Sequence, residues 1–248
     1  MIGITEGFDP VFCKDWEKWA SYQPTILISK NFPKVHKHFL GAYPSNIIFH
    51  ISCTGLSGTI FEPNTPPFDE VLNYINNLNE YQKKHVVLRC DPICPALFDY
   101  KGPDFDGEAY KKNVAKILKF GHDHNLRIRI SFMDMYNHVW NRLDKYPQIK
   151  EHLRKHYGDD MHLPLNVRKD WLEVFKNHNT IELEVCGEPG IPCHGCVSKI
   201  DLDILGIELE KEFKGGQRTA CSCLALKKEL IPVKKVCPHK CLYCYWKQ

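Results

Sequence analysis

Short apolar, β-rich runs alternate along this chain with segments in which apolar residues return every three or four positions. The runs fall at Met1–Thr5, Thr25–Ser29, Asn46–Ser52, His85–Arg89, Arg127–Phe132 and Thr180–Val185. Each is about the length of a buried strand. Between them, Phe68, Val71, Leu72, Ile75 and Leu78 mark one helix face, and Tyr110, Val114, Ile117 and Leu118 mark another. Trp16 with Trp19, and Val167, Trp171, Val174 and Phe175, mark further helices, and Asn125 is expected in the turn that ends a helix over 108–123. Strand and helix alternating about six times predicts an α/β fold with a parallel sheet and outer helices. Six units make a partial (β/α)6 TIM-like barrel the expected architecture for residues 1–185. A flat, doubly wound sheet has the same periodicity.

Right-handed crossovers put the C-terminal ends of all such strands on one rim, where barrel chemistry is built. Polar residues gather at those ends. Cys53, Thr54, Gly55 and then Glu62 and Asn64 follow the third run; Arg89, Cys90, Asp91 and Pro92 end the fourth; Asp134 follows the fifth. Ordinary capping explains most loop residues of this kind, but Arg89 and Asp91 at the end of a hydrophobic strand would face the rim.

Composition adds a second theme. The 248 residues are 43% hydrophobic and 25% charged, which suits a folded core rather than disorder. No run approaches the ~18 apolar residues of a membrane span. The first ten residues, MIGITEGFDP, have neither a basic region nor a long apolar stretch, so a cytoplasmic and reducing environment is expected. Twelve cysteines then point to metal ligation rather than disulfides. Cys13, Cys53, Cys90 and Cys94 are scattered through the first hundred residues, none occurs between 95 and 185, and eight crowd into the last 63 positions. The break near residue 186 suggests a barrel over 1–185 and a cysteine-rich, iron–sulfur-binding segment over 186–248 that folds over the rim. Net charge is +3, but residues 211–248 carry +7 and the rest −4. Such a basic segment suits an acidic electron donor or a nucleic-acid backbone, or is simply solvated. Lys214–Gly215–Gly216–Gln217 reads as a turn before Cys221.

Cys237, Cys241 and Cys244 form C-x-x-x-C-x-x-C. Three thiolates on one short loop can ligate three irons of a 4Fe–4S cubane and leave the fourth iron without a protein ligand. The amino and carboxylate groups of S-adenosylmethionine (SAM) can chelate such an iron. Zinc is the competing reading: Cys241 with Cys244 and Cys193 with Cys196 are C-x-x-C pairs, although Cys237 would then be surplus.

The loop C-P-H-K-C-L-Y-C-Y resembles that of the radical SAM superfamily, and its histidine and C-L-Y-C-Y ending are similar to the spore photoproduct lyase branch. The chain as a whole resembles an uncharacterised, domain-of-unknown-function group with this motif at the C-terminus. The likeness runs through Ile28–Pro33, Ile60–Pro67, Leu88–Ile93, Ser131–Asp134, Gly216–Cys223 and the final loop. It implies that Cys237, Cys241 and Cys244 hold the cluster, that SAM is cleaved reductively to a 5′-deoxyadenosyl radical, and that Tyr243 contacts the adenine. It aligns Cys186, Cys196, Cys221 and Cys223 as a second metal site, a second 4Fe–4S cluster ahead of zinc, with Cys193 spare. Glu62 and Asn64 then bind SAM, and Arg89, Asp91 and Asp134 serve the substrate. Cys53 or Cys90 is a candidate hydrogen-atom donor, as a cysteine is in lyases of that branch, against the plainer reading of buried thiols. Flavodoxin or ferredoxin is the implied reductant. In the ordinary superfamily arrangement the cluster loop follows the first strand; here it comes after the barrel. The group's basic residue near Asp9–Pro10 is also missing.

Cys13 is expected on a helix as a buried thiol. His36 and His38, two apart, share no helix face and read as surface, and no His-x-x-x-His pair stands out with an acidic partner. The expectation is a monomeric enzyme, with no membrane partner and an unknown substrate in which nucleic acid figures as one class. The alternative is a non-catalytic, metal-stabilised nucleic-acid-binding protein using the basic tail and Trp246.

Overall fold

The computed structural model describes residues 1–14, 16–39, 44–179, 182–208, 220–224, 227–231 and 236–246. The main sheet has seven strands: β1 (Ile2–Ile4), β2 (Thr25–Ser29), β3 (Ile47–Ser52), β4 (Val86–Ile93), β5 (Arg127–Phe132), β6 (Leu183–Val185) and β7 (Lys227–Glu229). Their order is β6-β5-β4-β3-β2-β1-β7, every neighbouring pair is parallel, and the sheet is open. The first six strands thus lie side by side in chain order, without the reversal of a doubly wound sheet.

Nine helices connect or cover them among the described residues: α1 (Trp16–Tyr22), α2 (Phe32–His36), α3 (Phe68–Asn76), α4 (Glu80–Lys84), α5 (Gly107–Asp123), α6 (Asn137–Arg142), α7 (Pro147–Tyr157), α8 (Leu165–Asn179) and α9 (Lys199–Ile204). Tyr110, Val114, Ile117 and Leu118 form the buried face of α5, and Asn125 takes the left-handed conformation (φ 50°) in the turn beyond it. Gly121 lets α5 lie against β5, since a Cβ there would meet Ile128 Cδ1 at 2.4 Å.

Strand alternation divides the sheet's side chains between two cores. Leu27, Phe49, Ile51, Val86, Leu88, Cys90, Ile128 and Ile130 face the helices in the larger core. Ile2, Ile4, Ile26, Ile48 and Val87 face the other way, against Cys196, Val197, Leu202 and Cys223. The segment after residue 186 therefore covers the inner face of the sheet with α9 and adds β7 beside β1.

Several expectations change. The strand β7 escapes the pattern because Lys-Lys-Glu is polar and short, as suits an edge. The predicted run Thr180–Val185 is a strand only from Leu183, and Thr180 and Ile181 lie outside the described residues. β4 continues to Ile93, although its pairing with β5 skips between Cys90 and Ile93, where Pro92 has no N–H to give. Cys13 follows a 3₁₀ turn (Pro10–Phe12) instead of lying on a helix. His36 is buried, with its Nδ1 2.9 Å from the Tyr74 hydroxyl, because α2 packs its ring against Phe32 of the same helix and Phe49 of β3; His38 is exposed.

The inner face also buries charge. Arg127 pairs with Glu184 and Asp201, both at 2.7 Å, and Arg129 donates to Glu184 through Nε at 3.0 Å, with Asp201 at 3.8 Å. Beside them, burial holds His50 down to about 4 against the opposing pull of Asp201, and the Arg129 charge adds to burial. The folded state therefore takes up the His50 proton less readily than the unfolded chain does. The sign follows: this stability is present above pH 6.5 and is lost as the pH falls from there toward 4. Urea unfolding across that window should show a loss of up to about 3 kcal/mol, absent in His50→Gln.

Candidate metal centre and cavity

Period-two alternation decides which residues reach the C-terminal rim. Ser29 from β2, Ser52 from β3, Arg89 and Asp91 from β4 and Ser131 from β5 line one cavity of about 260 Å³. Thr5, Glu6 and Asp134, beyond the ends of β1 and β5, and Lys227 of β7 line it too. So do two groups of cysteines: Cys237, Cys241 and Cys244, and Cys186, Cys196 and Cys221.

The C-terminal loop is held from every side. The Asp9 carboxylate accepts from Ser29 Oγ and the Lys30 backbone N–H, both at 2.8 Å, and faces His239 Nε2 at 2.9 Å. Asn64 donates to the Pro238 carbonyl at 2.8 Å, and the Leu242 N–H donates to Phe61 O at 2.9 Å. Arg142 on α6 donates to the carbonyls of Leu242, Cys244 and Trp246 at 2.8–2.9 Å. Lys240 turns the chain with φ 52°. These bonds present Cys237 and Cys244 half-buried and Cys241 buried. Burial pushes the thiols of Cys237 and Cys241 up, so binding a metal there would release protons.

Under the loop sits a buried ion pair. Lys30 lies 2.7 Å from Glu62 and donates to the Tyr243 hydroxyl at 2.9 Å. Glu62 also accepts from Thr54 at 2.7 Å, Thr65 at 3.1 Å and the Tyr243 hydroxyl. Burial disfavours both charges of the pair, but each outweighs it for the other: Glu62 is held low and Lys30 high. Burial and the Glu62 charge push Tyr243 up, which keeps it a phenol donor.

The second group is a chain of sulfurs. Cys186 and Cys196 lie 3.7 Å apart and Cys221 and Cys223 3.1 Å apart. Cys196 is held low by the neighbouring thiols of Cys186 and Cys223 and by the Arg89 and Arg129 charges; Arg89 Nη1 is 3.9 Å from its sulfur. Cys193 stands apart, bonded to the Glu188 backbone N–H at 3.0 Å and pointing to Glu188 O and Ile191 O.

Arg89 binds Asp91 through Nε at 3.0 Å, Ser131 also donates to Asp91, and Asp91 is held low because the guanidinium and the Ser131 hydroxyl together outweigh burial. Asp134 contacts His162 Nδ1 at 2.6 Å and accepts from the Tyr136 hydroxyl at 3.3 Å. Other proposed site residues lie off the cavity. Cys53, raised to about 12 by burial, and Cys90, also raised by burial, face the helix-side core; Ser52 and Arg89 take the cavity side of those strands. Glu62 and Asn64 act on the loop from beneath and beside it, and neither lines the cavity.

Lys30, Asp9, Arg142, His162 and the Glu6–Lys227 pair (2.8 Å) were missed from sequence. Of these, Lys30 carried a signal, as a charge closing an apolar strand like Arg89, and Asp9 was marked by the Asp9–Pro10 position of the group resemblance. The predicted turn over 214–217 lies outside the described residues, as do Lys211, Arg218, Lys234, Lys235 and Lys247 of the basic segment.

Fold and site together define an α/β protein with a parallel sheet and a cavity lined by two cysteine groups, a candidate metal-binding protein. No described helix is long and apolar enough to cross a membrane. Residues 19–246 match the model of the family Domain of unknown function (DUF1848), and the chain belongs to that family. Neither the curated proteins nor the solved structures searched give a match.

Proposed function

We propose that this protein is a radical SAM enzyme whose catalytic cluster is a 4Fe–4S cubane held by Cys237, Cys241 and Cys244. The open sheet is read as a partial (β/α)6 barrel extended by β7, with the cysteine-rich segment folded over its rim; the sequential strand order supports this. The observation that carries the reading is that three thiols of one bonded loop open onto the same cavity as the strand-end polar groups. The donor set fits a cubane with one iron free of protein ligands. When bound, the cluster supplies the electron and SAM the adenosyl group from which radical chemistry starts.

The chain's own residues orient and shield. Lys30 and Glu62 fix the Tyr243 hydroxyl, Thr54 holds Glu62, and the residue lines the cavity as a surface for an adenine. Phe8, Phe132 and Trp246 give the cavity apolar walls. Arg89–Asp91–Ser131 and Asp134–His162 offer charged and hydrogen-bonding groups to substrate. Cys186, Cys196, Cys221 and Cys223 would hold a second 4Fe–4S cluster. Flavodoxin or ferredoxin is the reductant in this reading. Anaerobically reconstituted protein, given SAM and dithionite, should yield 5′-deoxyadenosine and methionine. Iron-loaded protein that gives neither would refute the proposal.

One observation favours a second reading. The 3.7 Å between Cys186 and Cys196 matches the ~3.8 Å edge of a tetrahedron with zinc–sulfur bonds of about 2.3 Å. A non-catalytic, zinc-stabilised nucleic-acid-binding protein would instead purify with zinc and bind nucleic acid with a steep salt slope.

A further inference from the structure

Away from the cavity, three metal-ligating side chains meet where the turn after β4 touches α7. Asp99 follows the 3₁₀ turn Pro95–Leu97, and His152 and His156 lie one helical turn apart on α7. One ligand atom from each falls within 4.8 Å of the others. We infer that Asp99, His152 and His156 bind one first-row divalent cation of borderline character, such as zinc, cobalt or nickel, and clamp this turn to α7.

Positions i and i+4 share a helix face, so the two imidazoles project together, with ring centroids 4.9 Å apart. The His152 ring is fixed: its Nε2 lies 2.6 Å from Ala96 O, and it meets the Tyr100 ring edge-on at 5.1 Å. A neutral imidazole that gives its N–H to a backbone carbonyl keeps a lone pair on its other nitrogen, the usual arrangement of a histidine ligand. The Asp99 carboxylate lies 3.4 Å from that same Nε2, and being exposed it can turn across the ring edge to share a metal on Nδ1. Two nitrogens and one oxygen suit borderline ions rather than calcium or magnesium, and three protein ligands leave a position open to water. No cysteine takes part, so this site stands or falls independently of the cluster.

The test is an anaerobic cobalt(II) titration of the full chain after its cysteine sites have been filled by iron–sulfur reconstitution. The wild type should take up one more cobalt than His156→Gln or Asp99→Asn. The added absorption should show visible d–d bands without the intense sulfur-to-cobalt charge transfer of thiolate sites. Asp99 is 72% exposed, so its variant should fold as the wild type does, checked by circular dichroism. Equal cobalt uptake by all three proteins, or a thiolate band on the extra cobalt, would overturn the inference.

Discussion

Cys241→Ala should reduce SAM cleavage to background and strip the iron of one cluster, about four atoms per chain. Of the three loop thiols it is the buried one, set beside the Lys30–Glu62 pair and flanked by loop positions whose carbonyls Arg142 fixes. Two remaining thiols at the edges of the loop cannot hold a cubane against solvent. Cys193→Ala is the matched control: its sulfur bonds to the backbone at Glu188 and Ile191 and does not line the cavity, so iron content and cleavage should be unchanged. Iron analysis and product chromatography on both variants decide the matter. Full iron and full activity in Cys241→Ala would remove this loop from the chemistry.

The largest expected effect on stability lies at Asp201. This carboxylate is fully buried, caps α9 through Ser198, pairs with Arg127 at 2.7 Å and faces Arg129 at 3.8 Å. Together with Glu184 it balances two guanidiniums that burial alone would disfavour. Asp201→Ala leaves one positive charge uncompensated on the inner face and removes the carboxylate half of the capping box at Ser198. Breaking a buried pair by deleting one partner costs about 3–5 kcal/mol, a large fraction of the roughly 5–15 kcal/mol that holds a domain together. Urea unfolding should show that loss. A change below about 1 kcal/mol would mean that Glu184 alone balances both arginines or that water reaches them.

Much of the frame was readable before any coordinates. Five of the six expected runs became strands within one residue or so at their starts, since a continuous apolar stretch has few other places to go. Asn125 in its turn and the face of α5 were equally local. What misled was distance along the chain. Asp99 sits more than fifty residues before His152, so His152-x-x-x-His156 had no visible acidic partner. Glu62 and Asn64 carried the right chemistry, but the structure turns both toward the loop and away from the cavity. Cys53 and Cys90 follow strand residues that face the cavity, and one step along a strand reverses the side chain.

The sequence by itself determined the α/β alternation, the cysteine motif at the C-terminus and the crowding of thiols after residue 186, because periodicity and spacing are local. Only the tertiary structure decided which face each strand residue takes, that β7 closes beside β1, and that both cysteine groups open onto one cavity. Those outcomes depend on contacts between residues more than two hundred positions apart, such as Asp9 with His239, and no local pattern encodes such a meeting.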